Sequence, residues 1–321
     1  MSATTQAGSL ETLRPRANRG PILGPALAVW KFMRRKPLGG IGLVIVAILF
    51  ISAIFAPLIA THSFEQQNIR NRFQKPSAEH FLGTDDLGRD IFSRIVYGAR
   101  VSVLVGFGVV FVAGLLASTV GIVTGFYGKG VDLVIQRFVD ILIAFPNLIL
   151  LITFTALFPR PEEALAIGPV SLDPSAQRGL YIVIALGILF SFGASRVVRG
   201  SVISIKNNQY IEAARAIGAT DSRILLRYIL PNIFPTLLIL TTVQLGAAIL
   251  AESSLSFLGF GIPPPVPAWG GMLSGIGRAF ITREPLLSVW PGLAIALAVF
   301  GFNMLGDALR DVLDPRLRGS R

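Results

Sequence analysis

Side chains that could perform acid–base or metal chemistry are few in this chain of 321 residues. The densest group runs from His80 to Asp90 and includes the carboxylates of Asp85 and Asp86. An imidazole beside carboxylates can bind a metal ion, but carboxylates on one turn more often cap helices or stay solvated. We therefore predict that the chain binds no metal ion. The absence of cysteine excludes disulfides, iron–sulfur clusters and thiol catalysis.

Sequence motifs of catalysis are also missing. The chain has neither a His-Glu-x-x-His pair nor a Gly-x-Ser-x-Gly elbow, and both histidines lie outside the apolar stretches. The string Gly128-Lys129-Gly130 lacks the spacing and the hydroxyl of a phosphate-binding loop. We predict that the chain is not an enzyme, binds no cofactor and hydrolyses no ATP.

Two carboxylates lie inside apolar stretches, where a charge is costly and a partner is expected. Asp140 follows Arg137 by three positions, a spacing that favours a local ion pair on one helical face. A role for Asp140 in translocation is the alternative. Glu252, flanked by Ser253 and Ser254, either lines a pathway or a subunit interface, or reaches interfacial water.

Six apolar stretches organise the chain. Hydrophobic residues make up 52% of it, charged residues 15%, and the mean hydropathy is +0.66. Each stretch approaches or exceeds the roughly 20 residues that a helix needs to cross a bilayer. Since lipid offers the backbone no hydrogen-bond partners, we predict an all-α integral membrane protein with six transmembrane helices. The predicted spans are 41–61, 101–126, 131–158, 179–195, 234–257 and 288–305.

Basic residues set the predicted orientation. Seven precede the first span and Glu11 is the only acid there, which places the N-terminus in the cytoplasm. Six spans return the C-terminus to the same side. The loop 196–232, also basic, is then cytoplasmic, while 62–100, 159–178 and 259–287 are external. The seven basic residues are Arg14, Arg16, Arg19, Lys31, Arg34, Arg35 and Lys36.

Segments outside the spans have patterns of their own. Residues 1–25 are polar and rich in Gly, Pro and Ala, which predicts disorder. Residues 25–36 form either an interfacial amphipathic helix or an extension of the first span. A turn-rich loop and an amphipathic helix are predicted within 62–100. The predicted organisation is a cytoplasmic tail 1–40, the first span, the external segment 62–100, a five-helix core 101–306 and a cytoplasmic tail 307–321.

The loop 196–232 carries the most specific pattern of the chain. Glu212-Ala213-Ala214-Arg215 consists of good helix formers, and the acid stands near the helix start, where the dipole favours it. Gly218 suits the left-handed conformation that ends a helix, and Leu230-Pro231 follows. This pattern resembles the cytoplasmic coupling loop of permease subunits of ATP-binding cassette importers. Tyr228 departs from the motif, which often has Ile there.

The resemblance implies a short helix that docks in a groove on a separate ATPase. The residues implied to couple to it are Glu212, Ala213, Ala214, Arg215, Gly218, Leu230 and Pro231. Two further strings, 83–90 and 305–316, resemble the second permease subunit of dipeptide and oligopeptide importers, a family that includes nickel permeases. The resemblance covers residues 30–318 and implies the architecture of a type I importer permease, also called MetI-like.

The same resemblance implies a function and partners. The chain is expected to form half of a translocation pathway for di- or oligopeptides, or a related small solute, in a bacterial inner membrane. The expected partners are a second permease in a heterodimer, two ATP-binding subunits that hold ATP and Mg²⁺, and a periplasmic or extracellular solute-binding protein. Dipeptides, longer peptides, nickel chelates and sugars all remain open as substrates.

A secondary transporter or channel without an ATPase is the alternative function. It requires membrane-embedded polar groups for ion coupling, and often inverted repeats with broken helices. Only Asp140 and Glu252 are available for this role, and the sequence shows no clear repeat. We therefore favour the importer permease.

Overall fold

The computed structural model describes residues 23–158, 161, 163–167 and 170–313. Most of the predicted disordered tail and half of the C-terminal tail lie outside this part, at 1–22 and 314–321. The α-helices are α1 (Leu23–Arg35), α2 (Pro37–Ile54), α3 (Ala56–Ile59), α4 (Ile91–Tyr127), α5 (Lys129–Ala144), α6 (Asn147–Leu157), α7 (Pro174–Lys206), α8 (Gln209–Ala216), α9 (Asp221–Ile224), α10 (Leu230–Phe257), α11 (Trp269–Leu273), α12 (Gly275–Ala279) and α13 (Leu286–Leu313).

Irregular elements are short. A 3₁₀ turn covers Ile69–Asn71, and a π-helical turn, Leu225–Ile229, joins α9 to α10. The strands β1 (Leu165–Ile167) and β2 (Val170–Leu172) pair antiparallel and form the only sheet in the described residues. The predicted all-α class is confirmed.

The long helices alternate in direction between two ends of the molecule. One end, which we call the loop end, holds the segment 62–90, α11 and the start of α7, where Arg178 Nη2 donates to the Phe260 carbonyl at 2.9 Å. The opposite end, which we call the α8 end, holds α8 and the junction of α1 with α2. There Lys36 Nζ lies 2.5 Å from Asp311 Oδ2 of α13. The two ends of the described chain therefore lie on one side, as an even number of crossings requires.

Within the described residues, five helices are long and apolar enough to cross a membrane by themselves, and the pair α5 and α6 supplies a sixth crossing if it counts as one span. The predicted span 131–158 is bent, because these two helices meet at an angle of 100°. Pro146 explains the bend: it disfavours a helical conformation at Phe145, which is extended with φ −78° and ψ 144°. The pair still crosses, since the Thr155 carbonyl reaches Arg178 at the loop end.

Helix α4 is continuous where we expected an amphipathic helix followed by a span from residue 101. Asp90 caps its start, accepting from the Ser93 N–H at 2.8 Å, and nothing breaks it before Gly128, whose φ is +63°. At 37 residues the helix is about 55 Å long, well beyond the hydrocarbon core of roughly 30 Å. The helix therefore extends beyond the hydrocarbon core.

Small residues set the packing of α4 against α7. Gly121 and Gly125, four residues apart on α4, both face α7. A Cβ at Gly121 would lie 2.7 Å from Val198 Cβ, and one at Gly125 would lie 2.8 Å from Val202 Cβ. These distances are below van der Waals contact, so only glycine lets the two backbones come this close.

Apolar side chains cover much of the outer surface. On α2, Ile48 is 59% exposed, and on α4, Phe111 is 73% exposed. Large exposed apolar faces of this kind are rare in water and are expected against lipid. Helix α1 is an element separate from α2, and Trp30 on it is exposed too. This finding favours an independent amphipathic helix over an extension of the first span.

Candidate functional site

The candidate site is the connection between α7 and α10 at the α8 end. Helix α7 continues to Lys206, so Arg196 and Arg199, which we expected in a loop, are helical. Both pair with α5. Arg199 Nε and Nη2 donate to the two oxygens of Asp132, each at 2.5 Å, and Arg196 Nη2 donates to Asp140. These ion pairs hold α5 against the C-terminal half of α7.

Asp140 therefore has a partner that sequence spacing did not reveal. The predicted pair with Arg137 exists, but its closest N–O distance is 3.9 Å and the Arg137 side chain is 76% exposed. Reasoning from i,i+3 spacing finds neighbours on one helix only, whereas Arg196 lies 56 positions away. A place for Asp140 on the pathway stays a prediction.

Helix α8 is short and amphipathic. Ile211 and Ala214 face inwards and are almost fully buried, and Ile211 belongs to an apolar cluster with Phe126 and Val202. Glu212 and the other residues of the helix face solvent. Burial of one stripe holds the helix on the ends of α4 and α7, because so short a helix is not stable alone.

The end of α8 has the geometry predicted for Gly218. Its φ is +85°, a left-handed conformation that glycine adopts without cost. The Gly218 N–H donates to the Arg215 carbonyl at 2.9 Å, and the Ala219 N–H donates to the Ala214 carbonyl at 3.0 Å. Together these two bonds form a Schellman motif, which satisfies carbonyls that the helix end would leave unpaired.

Several side chains at the α8 end are exposed although they are apolar. Ile217, between the end of α8 and Gly218, is 85% exposed, and Leu226 is 67% exposed. Arg215 stays over the ring of Phe126, with Cζ 5.7 Å from the ring centroid. We call the exposed residues of this helix and its end the α8 surface: Gln209, Tyr210, Glu212, Ala213, Arg215, Ala216, Ile217 and Gly218.

The second half of the coupling pattern lies in the π-helical turn and the start of α10. The Leu230 N–H donates to the Leu225 carbonyl, five residues earlier, and Pro231 follows in the first turn of α10. Ile229 is fully buried, whereas Leu230 and Pro231 are exposed. The rings of Tyr210 and Tyr228, with centroids 6.3 Å apart, bring this turn beside the start of α8.

Glu252 lies away from this site and from every surface. It is fully buried in α10, and its carboxylate accepts from Ser256 Oγ at 2.7 Å and from Ser253 Oγ at 3.4 Å. Helix α11 covers it, with Gly270 against the Ser253 backbone. The interpretation that Glu252 reaches interfacial water is therefore wrong, and a role on a pathway or subunit interface requires exposure that the side chain lacks in this chain.

A concave apolar face, which the sequence did not reveal, runs along α6, α7, α10 and α13. It consists of two adjoining cavities of about 490 and 810 Å³ that share Leu148, Leu250 and Ser254. Asn147 and Asn303 are among the few polar residues that line it. Ile143 of α5 and Leu273 of α11 also line it, so the face is built by residues far apart in the sequence and no local pattern predicts it.

The loop end carries a buried polar network instead. Asp85, Arg89, Asp90 and Arg94 are each at most 7% exposed. Arg89 Nε donates to Asp85 Oδ2 at 2.7 Å, and the backbone N–H of Arg89 donates to Asp85 Oδ1 at 2.9 Å. Of the carboxylates expected to cap a helix or stay solvated, Asp90 caps α4, whereas Asp85 is buried and accepts from Arg89. Burial and the neighbouring Asp85 raise the pKa of Asp86 above its ordinary value.

Comparison with known proteins matches two family models. Residues 117–319 match the binding-protein-dependent transport system inner membrane component, and residues 25–76 match the N-terminal transmembrane domain of oligopeptide transport permease C. The chain is 41% identical to a dipeptide transport system permease protein of Alkalihalophilus pseudofirmus, over 95% of this chain and 94% of the relative.

Two further relatives are similar over nearly their whole length. The oligopeptide transport system permease protein of Bacillus subtilis is 36% identical over 91% of this chain and 92% of its own. A glutathione transport system permease protein of Escherichia coli is 38% identical over 90% of each chain. The matched residues include α8, its Schellman end and the π-helical turn.

Proposed function

This chain belongs to the family of binding-protein-dependent transport system inner membrane components, and we propose that it is the permease of a peptide importer whose α8 surface docks on the ATPase. As a family member it is an integral membrane transport subunit of an ATP-binding cassette importer, and it works with a partner permease, an ATPase and a binding protein. Di- or oligopeptides are the proposed substrate class, supported by the names of the relatives.

One observation supports the docking role most strongly: the exposed Ile217 at the end of a helix that is otherwise well anchored. Its side chain is 85% exposed, beside a glycine whose Cβ position is open space. An apolar side chain held rigidly in water gains free energy when a groove covers it. Ile211 and the Schellman motif fix the helix, so the docking surface needs no rearrangement.

The proposed complex has one copy of this chain, a homologous partner permease and two ATP-binding subunits. The concave face of α6, α7, α10 and α13 is the surface that we assign to the pathway, with the partner permease opposite. It supplies mostly apolar contacts and a few polar groups such as Asn147 and Asn303. Such a lining suits solutes with varied side chains, and the external binding protein then carries most of the selection.

The proposed orientation places the α8 end in the cytoplasm. Basic residues concentrate there, among them Arg34, Arg35 and Lys206, and the ATPase must meet cytoplasmic ATP. Lys36 and Asp311 support a common side for the two ends of the described chain, because they join the start of α2 to α13 at this end. The loop end then faces the binding protein.

Photo-cross-linking tests the docking role. Because the chain has no cysteine, Ile217→Cys introduces a single thiol to which a benzophenone maleimide can be attached. In the full complex, irradiation should join this position to an ATPase subunit. Gln67→Cys, exposed at the loop end, is the matched control and should give no ATPase product. Absence of an ATPase product from a labelled position 217, or equal products from both positions, would contradict the proposal.

Thiol labelling of intact cells tests the orientation separately. A membrane-impermeant maleimide should modify Gln67→Cys but not Asn208→Cys, and permeabilised cells should show both labelled. Labelling of position 208 before permeabilisation would place the α8 end outside.

A further inference from the structure

Three residues of the segment 62–90 converge at the loop end, and none belongs to the α8 surface. His62 follows the helix α3, while Glu79 and His80 lie in a turn. One ring nitrogen from each histidine and one carboxylate oxygen of Glu79 all lie within 4.8 Å of one another. The two imidazole rings are nearly stacked, with centroids 4.6 Å apart and planes inclined by 30°.

Hydrogen bonds orient both imidazoles. His80 Nδ1 lies 2.9 Å from Asp90 Oδ1 in a buried contact, and its ring must donate there because an ionised carboxylate can only accept. This leaves His80 Nε2 with a free lone pair. His62 Nδ1 is 3.0 Å from Thr61 Oγ1, so its Nε2 is likewise the available nitrogen. A carboxylate that fixes the tautomer of a histidine is typical of the second shell of metal sites.

Asp90 is itself held firmly. Its second oxygen accepts from the Ser93 N–H at 2.8 Å at the start of α4, and Thr61 Oγ1 lies 3.4 Å from it. His80 is 5% exposed and Asp90 is 2% exposed. The His80 ring is therefore held in one orientation before any ligand binds.

We propose that His62, Glu79 and His80 form a binding site for one divalent transition metal ion, with Zn²⁺ as the reference ion. Two imidazoles and a carboxylate are a donor set that suits Zn²⁺ and similar ions. Ligand atoms of a tetrahedral zinc site lie about 3.3 Å apart, so the donors must move closer by an ångström or so. Glu79 is exposed and its side chain is free to make this movement.

A small cavity adjoins these donors. It has a volume of about 60 Å³ and is lined by His62, Glu79, His80 and Asp90 together with Gln66, Asn68, Asn71 and Gly88. This space holds an ion and a water molecule at the fourth position. A bound ion would join the outer end of the first span to the turn and, through Asp90, to the start of α4.

Sequence proximity groups His80 with Asp85, Asp86 and Asp90 rather than with His62. In the structure, Asp85 and Asp90 have other hydrogen-bonding roles and are not the proposed ligands. Asp85 is occupied by Arg89, and Asp90 orients His80 as a hydrogen-bond acceptor. His62 comes from the far side of the segment, 18 residues before His80.

Metal binding to the purified chain, without an affinity tag, tests the site directly. The chain has two histidines and no cysteine, so imidazole ligands can come only from His62 and His80. Competition with a chromophoric chelator should show one Zn²⁺ per chain. His62→Ala and Glu79→Gln should each weaken binding at least tenfold. Glu65→Gln, an exposed acid of the same segment, is the matched control and should bind as the wild type does.

Co²⁺ reports the geometry in the same samples. The wild type should give the intense visible absorption of a four-coordinate Co²⁺ site, and His62→Ala should lose it. Zn²⁺ should raise the Tm of the wild type and of Glu65→Gln but not of Glu79→Gln, whose exposed position leaves the fold intact. Binding that is absent in the wild type, or that is unchanged in both His62→Ala and Glu79→Gln, would overturn the proposal.

Discussion

At the loop end, the charges of Asp85, Arg89 and Arg94 are buried in a network that the chain completes by itself, whereas at the α8 end Glu212 and Arg215 are exposed. Two apolar side chains show a similar contrast. Trp269 at the loop end is buried and donates from Nε1 to the Ile95 carbonyl at 3.0 Å, while Ile217 is 85% exposed. The loop end satisfies this polar network within the chain, whereas the α8 end exposes the residues that we propose to dock on the ATPase.

One glycine at each end of the molecule shows the same contrast between the loop end and the α8 end. Gly88 and Gly218 have similar left-handed φ values, +70° and +85°. A Cβ at Gly88 would overlap the Asn68 carbonyl, but a Cβ at Gly218 would meet nothing within 4 Å. Gly88 is therefore required both for its left-handed conformation and for the close packing against Asn68. Gly218 is required only for its left-handed conformation, and the space beside it is open to a docking partner.

Removing one member of the buried network at the loop end should have the largest effect, which is on the stability of the fold. Asp85→Ala leaves the Arg89 guanidinium buried without its main partner, so we expect the free energy of unfolding to fall by about 3–5 kcal/mol. Thermal unfolding of the purified chain in detergent measures the loss. A loss below about 1 kcal/mol would show that the loop end does not depend on this pair.

Asp86→Asn is the matched control for that experiment. Burial and the charge of Asp85 raise the pKa of Asp86, so ionised Asp86 costs free energy in the folded chain. Stability from this group is present at low pH and is lost as the pH rises through the raised pKa. Asp86→Asn should therefore be neutral or slightly stabilising at neutral pH, in contrast with Asp85→Ala.

A substitution at Gly218 should have the next largest effect, on coupling. Gly218→Val places a β-branched residue in the left-handed conformation, at a cost of about 1–2 kcal/mol. If the docked state requires that conformation, ATPase stimulation by loaded binding protein should fall roughly tenfold in the reconstituted complex. Membrane abundance should stay normal.

Gly200→Val provides the matched control for this effect. Gly200 is in the interior of α7, its φ is not positive, and a Cβ there also meets open space. Stimulation should stay near the wild-type value. An equal loss in Gly218→Val and Gly200→Val would indicate a general disturbance. The left-handed conformation of Gly218 would then not explain the loss of stimulation.

Charge reversal on the α8 surface should have the smallest effect. Glu212 lies in the first turn of α8, where the helix dipole favours a negative charge by about 0.3–1 kcal/mol. Glu212→Lys should therefore reduce ATPase stimulation by about two- to fivefold, and Glu212→Gln should reduce it less. Stimulation that is identical in Lys and Gln variants would show that charge at this position does not contribute to docking.

Local patterns explain why much of the α8 end was predictable. Good helix formers before a glycine specify a short capped helix, and the structure has it at Gln209–Ala216 with Gly218 left-handed. The boundary between α7 and the loop that follows it differs from the prediction. The loop was predicted from residue 196, but α7 runs to Lys206, because Arg196 and Arg199 are satisfied by carboxylates of α5 and can remain helical.

Patterns at the loop end were a weaker guide. The sequence indicated turns and caps, and Asp90 does cap α4. It did not indicate that Asp85 is buried against Arg89, or that His62 approaches His80. These contacts depend on how the segment 62–90 folds back on itself, which hydropathy and spacing do not encode.

By itself the sequence determined the class of protein, the apolar stretches long enough to cross a membrane and the position of the short helix α8. These properties depend on local composition: apolar length for the spans, and good helix formers before Gly218 for the helix and its end. The tertiary structure decided the rest, including the bend between α5 and α6, the burial of Glu252, the concave apolar face shared by several helices and the His62, Glu79 and His80 cluster. The physical reason is that each of these features is made by residues far apart in the chain, whose meeting depends on how whole helices pack.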